Sequence, residues 1–225
     1  MNIQTVATTI FDKILDIIEG EEYGLSEHTL FQLKLLRNTT IYTTDTLPEK
    51  IILHDMNDIP MAVYEPIRRS SQVIDPVPIF QKNEIIILKP VVVLPSTYNK
   101  PKDIWIITHE LCHLLSVGRY IQNSYDKNKW FHSFGLNKYE YSSSNGKIIL
   151  ISKKESFYDN EILNDAITWH FIELILEHDA EPPDKYIKSV SIKLKSRDDI
   201  KKIIGFYFSG QVDSLASRLS VDNSI

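Results

Sequence analysis

The chain has 225 residues, 43% hydrophobic and 24% charged, so it can bury a sizeable core and is too apolar to remain disordered. Its formal net charge of −5 and pI near 5.8 argue against a protein built around nucleic acid, which would show a basic face. No apolar run approaches the roughly 18 residues of a membrane span, the start lacks a basic leader region, and Cys112 is the single cysteine, so a cytoplasmic setting and no membrane partner are expected.

Residues 5–19 repeat Ile10, Ile14, Ile17 and Ile18 at helical spacing and stop at Gly20, which predicts an amphipathic helix. Ser26 suits the cap of a second helix over 26–37, with Leu30, Leu33 and Leu36 inward. From 39 to 95 the pattern changes to short β-branched runs at 41–44, 51–54, 61–64, 84–88 and 91–94. Pro60, Pro66, Pro76, Pro78, Pro90 and Pro95 punctuate them, which places prolines at strand ends or on edge strands. Helical spacing returns over 101–118, where Asp103 suits an N-terminal turn and Ile104, Ile107, Leu111, Leu114 and Leu115 form one apolar surface. Residues 119–158 read as an insertion carrying a hairpin, because Asn145-Gly146 is a two-residue turn signal between strand-like runs. A further helix is expected over 159–177, halted by Pro182-Pro183, then short helices near 198–208 and 212–219 with Gly210 between them. Helices, a small antiparallel sheet, then helices make an α+β class in a single domain. The basic stretch 188–202 is broken by apolar residues and by Asp198-Asp199, so it reads as a solvated face.

The chemistry concentrates in His109-Glu110-Leu111-Cys112-His113 on the 101–118 helix. Residues four apart share a helix face, so both imidazoles can reach one Zn²⁺. Glu110 is rotated about a quarter turn away, near enough to act on an attacking water without being a ligand. The plainer reading of His109 and His113 is a buried, hydrogen-bonded pair on a core helix. A catalytic zinc site usually takes three protein ligands. The extended metzincin pattern is ruled out, because Ser116 and Arg119 stand where its glycine and third histidine would be. Asn160-Glu161-Ile162-Leu163-Asn164-Asp165 instead puts Glu161 and Asp165 one turn apart at the start of the 159–177 helix. Glu161 can complete the metal site and Asp165 can accept from the far nitrogen of a ligand histidine; a solvated acidic first turn is the other reading.

The two motifs together resemble the gluzincin, thermolysin-like metallopeptidases. That resemblance implies a zincin-like domain, zinc on His109, His113 and Glu161, Glu110 as general base, and Asp165 orienting a ligand histidine. It covers the two motif helices, and the gap from His113 to Glu161 is longer than in compact members, so 119–158 would loop out. A weaker similarity is to the cytoplasmic ImmA/IrrE-type peptidases. Among the remaining histidines, His132 is expected exposed on the hairpin and His170 on the opposite helix face, while Cys112 is expected to be a small buried side chain. An oxyanion donor is also needed; Tyr158 and Tyr207 are the candidates, though an ordinary packed aromatic is the plainer reading of each. An extended substrate would pair with an edge strand, with 91–94 or 84–88 the candidates. The expected function is zinc-assisted hydrolysis of a peptide bond in a peptide or protein substrate. A non-catalytic zinc-binding or interaction module is the alternative.

Overall fold

Thr40–Thr43, Val91–Leu94 and Gln72–Ile74 form the sheet on which the rest is assembled, and its centre is Val91–Leu94. In the computed structural model the described residues are 2–20, 23–66, 70–76, 78–81, 84–96, 102–116, 120–122, 125–126, 128–134, 137–144, 147–154, 160–176, 197–211 and 214. In chain order the elements are α1 (Ile3–Gly20), α2 (Glu27–Leu35), β1 (Thr40–Thr43), β2 (Ile51–His54), β3 (Pro60–Tyr64), β4 (Gln72–Ile74), β5 (Ile79–Gln81), β6 (Glu84–Ile86), β7 (Val91–Leu94) and α3 (Lys102–Leu115). There follow β8 (Tyr120–Gln122), β9 (Lys129–Phe134), β10 (Asn137–Ser144), β11 (Lys147–Lys154), α4 (Asn160–Leu176) and α5 (Arg197–Ser209). The class is α+β. No helix among the described residues is long and apolar enough to cross a membrane.

The side-chain alternation of a strand explains why β7 can be wholly apolar. Val92 and Leu94 join the helical core with α1, α3, α4 and α5, whereas Val91 and Val93 join a second cluster with Leu53, Ile74 and Leu88. Helices cover one face of the sheet and the β2–β3 hairpin the other. This sheet departs from the expected antiparallel one: β1 runs parallel to β7, and only β4 is antiparallel to it. The cause lies in residues 45–90, which form their own hairpins, β2–β3 and β5–β6, before the chain returns alongside β1. The strands β4 and β5 escaped the sequence pattern because each is three residues long and they flank Pro76 and Pro78. The insertion is also larger than a hairpin, an antiparallel sheet in the order β11-β10-β9-β8. Ser144 pairs with Lys147 in β10–β11, and the expected turn residues Asn145 and Gly146 lie outside the described residues.

Helix termini follow their sequence signals. The Ser26 side chain accepts from Thr29 N at the start of α2, and Arg37 just beyond it pairs with Asp12 of α1 through Nε and Nη2 at 2.6 and 2.8 Å. Gly210, at φ +69°, ends α5: its N–H reaches the Tyr207 carbonyl, and Gln211 N–H reaches the Phe206 carbonyl at 3.0 Å. That is the paired-bond glycine stop which closes off a helix C-terminus. The expected helix over 212–219 lies almost wholly outside the described residues.

α4 is apolar nearly all round, with Leu163, Ala166, Ile167, Trp169, Phe171 and Ile172 buried, as a helix packed on several sides must be. α5 reaches this core through Gly205, whose missing side chain leaves room for the Tyr23 carbonyl oxygen. Tyr23 in turn stacks on Phe171 of α4. Gly205→Ala is therefore expected to push α5 off Tyr23 and destabilise the protein by about 1–3 kcal/mol, the usual cost of overpacking. Thermal unfolding would show a drop of roughly 2–4 °C per kcal/mol; an unchanged midpoint would mean that α5 does not dock closely there.

Candidate metal centre

The 3.6-residue turn of α3 brings the His109 and His113 rings together, with centroids 4.6 Å apart and planes at 82°. Their Nε2 atoms approach to 3.1 Å. α3 ends directly after this pair, where Ser116 N–H reaches the carbonyls of Cys112 and His113 and Ser116 Oγ donates to the His113 carbonyl at 2.8 Å. His113 and Glu110 are both buried, at 8% and 6% exposure, while the His109 side chain is 17% exposed.

α4 crosses α3 at this turn. Asp165 Oδ1 lies 2.8 Å from His109 Nδ1. The distance is that of a charge-assisted contact but the alignment falls short of a hydrogen bond. A small ring rotation aligns the pair, and such contacts tighten when a site is loaded. A carboxylate at Nδ1 favours the tautomer that carries its proton there, leaving the Nε2 lone pair for a ligand.

Immediately before Asp165, fully buried Asn164 donates from Nδ2 to the His109 carbonyl at 3.1 Å. Its Oδ1 accepts from the Tyr207 hydroxyl of α5, also at 3.1 Å. Tyr207 is 1% exposed and its hydroxyl donates to Asn164, which agrees with the packed-aromatic reading of this residue. Tyr158, the other candidate, lies outside the described residues.

Two ligand nitrogens at 2.0–2.1 Å from a tetrahedral zinc stand about 3.3 Å apart, so the observed Nε2 separation fits one ion held between the rings. The same 3.1 Å is an N–H···N hydrogen-bond distance, one ring donating to the other, which is the plainer reading of the pair. The third ligand expected from the sequence, Glu161, sits in α4 one turn before Asp165, but its side chain lies outside the described residues. Among the described residues no group of three His, Cys, Asp or Glu side chains gathers in a ligating arrangement.

The remaining candidates take up other contacts. His132 is buried at 6%, not exposed: its Nε2 lies 3.0 Å from Asp75 Oδ2 at the end of β4, and its ring stacks on Tyr139. The hairpin position suggested exposure because the pairing across to Asp75 has no local signal. His170 receives Tyr23, with the hydroxyl 2.9 Å from Nε2. Of the two strands expected to offer an edge, β7 is bonded on both sides and β6 belongs to the small β5–β6 sheet; β1 and β4 are the terminal strands beside β7. Asn164 and Asp75 escaped the sequence reading. A lone asparagine among Leu163, Ala166 and Ile167 was the available sign that a buried polar partner is required.

Comparisons with protein-family models, with curated proteins and with solved structures return no match to this chain. The chemistry of the site therefore rests on its own residues.

Cys112, inside the motif, is fully buried against α4, and burial pushes its thiol up to about 12 despite an interaction with Thr168. The thiolate is then scarce throughout the neutral range. Native protein at pH 8 is expected to resist iodoacetamide and to be labelled promptly in denaturant. Rapid labelling of the native form would show that the α3–α4 seam opens.

Proposed function

We propose that the chain is a zinc-dependent peptidase with its centre on α3 and α4. The observation that carries this reading is the convergence of His109 and His113 Nε2 at 3.1 Å, with Asp165 behind His109 and Glu110 on the same helix. The resemblance of the two motifs to gluzincins, and with it a zincin-like fold, belongs to the same proposal. His109, His113 and Glu161 would hold the ion through two imidazole nitrogens and a carboxylate. When bound, zinc supplies Lewis acidity that polarises a peptide carbonyl and eases deprotonation of water.

The chain's own residues do the rest. Glu110 takes the proton of the attacking water and passes it to the departing amine. Asp165 holds the proton at His109 Nδ1 and keeps that ring turned toward the ion. An extended peptide would pair with a terminal strand of the β1-β7-β4 sheet. A cytoplasmic location is part of the proposal and rests on the single buried cysteine.

Elemental analysis of protein purified without added metal should find about one zinc per chain, as a single catalytic site requires. Glu161→Ala should lower that content, and an unaltered zinc affinity would place the third ligand elsewhere. Glu110→Gln should retain zinc and lose turnover of a cleavable peptide library by about 10²-fold or more, the contribution typical of a general base. Undiminished cleavage would remove Glu110 from the chemistry, and a zinc-free wild type would remove the peptidase reading itself.

A further inference from the structure

Asn164 stands inside the site with both ends of its amide engaged by protein groups. In a helix the carbonyl of residue 109 already accepts from the N–H of residue 113. A carbonyl has two lone pairs, so the Asn164 amide adds a second bond to the acceptor that closes the turn between the two histidines. Asn164 and Asp165 thus grip His109 together, one at the backbone and one at the ring. A carboxamide has two chemically opposite ends, and a flip would set Oδ1 against the His109 carbonyl oxygen. The carbonyl can only accept, so Nδ2 faces His109, and Oδ1 is left toward α5, where the Tyr207 hydroxyl donates to it and holds the amide in place. Asn164 and Tyr207 are 0% and 1% exposed, so water cannot readily substitute for either partner.

We propose that Tyr207 and Asn164 are positioning residues, a relay from α5 through α4 that sets the His109 backbone and thereby the spacing of the two imidazoles. This rests on the metal-centre reading above. The relay reaches that centre through helices only. Tyr207 is placed by the close approach of α5 at Gly205 and by the glycine stop at Gly210.

The test uses the full chain and three variants: Tyr207→Phe, which removes only the hydroxyl; Asn164→Asp, which keeps the acceptor and loses the donor; and Phe208→Leu, a neighbouring core change as control. Zinc affinity is read by competition with a chromophoric chelator, and geometry by the visible spectrum of the cobalt-substituted protein. Tyr207→Phe and Asn164→Asp should weaken zinc by about 10–100-fold, the usual effect of losing an outer partner of a ligand, and alter the cobalt bands. Phe208→Leu should lower the melting temperature while leaving both readouts unchanged. Wild-type affinity and spectrum in Tyr207→Phe would overturn the proposal and reduce the hydroxyl to core packing.

A metal-free readout separates this idea from the peptidase reading. In apo protein the His109 Nδ1–H resonance facing Asp165 should be sharp in the wild type and broadened in Tyr207→Phe. If wild type binds no zinc but this difference is present, the relay positions His109 and the peptidase reading fails. If the resonance is the same in both proteins, the relay fails whatever the metal content.

Discussion

Every contact at the candidate centre depends on one rotation and one register of α4 against α3. Apolar burial drives these helices together but is non-directional, and a helix that is apolar all round gains almost as much area in several rotations. Polar contacts select among them. Asp165 meets the His109 ring, Asn164 meets its carbonyl, and Thr168 lies beside Cys112 on the same seam. The Trp105 and Trp169 rings, with centroids 6.1 Å apart, fasten the seam nearer the start of α3. A buried amide left without its partner costs roughly 1–3 kcal/mol, enough to exclude rotations that apolar area alone would tolerate.

The sheet supplies the floor on which α3 rests. β7 buries side chains on both faces, so it cannot shift toward the helices without opening the β2–β3 side. β4 completes the sheet beside β7, and Asp75 at its end meets His132 of the inserted β8–β11 sheet. The insertion is therefore tied by a buried acid–imidazole contact to the very strand that ends the sheet. Ring contacts from His132 through Tyr139 and Tyr141 to Trp130 extend that anchor across β9 and β10.

Local periodicity revealed the parts of this arrangement that are local. α1, α3 and α4 were legible because 3.6-residue spacing of apolar side chains needs no knowledge of the partner helix. The approach of His109 and His113 followed from a single turn, and that of Asp165 from an acid one turn after Glu161 placed to accept from a ligand histidine. What the sequence concealed depends on pairing between distant segments. The parallel union of β1 with β7 requires the connection between them to fold back on itself, and no residue pattern in either strand announces this. The strands β4 and β5 are too short to show alternation. His132 looked exposed because the hairpin was legible and Asp75, far away in sequence, was not. The partner of Tyr207 was hidden for the same reason: only the docking of α5 brings its hydroxyl to Asn164.

The adjacency of Asn164 and Asp165 gives the centre an all-or-none character. Neighbouring residues on a helix point about 100° apart, so two of them can serve one histidine only if one reaches past the ring to the backbone. Rotating α4 in either sense to improve one contact would spoil the other. The rotation is in turn held by Leu163 and Ile167 in the shared core. A site so constructed has little freedom to adjust one ligand at a time, which suits an ion that demands fixed distances from all of its donors.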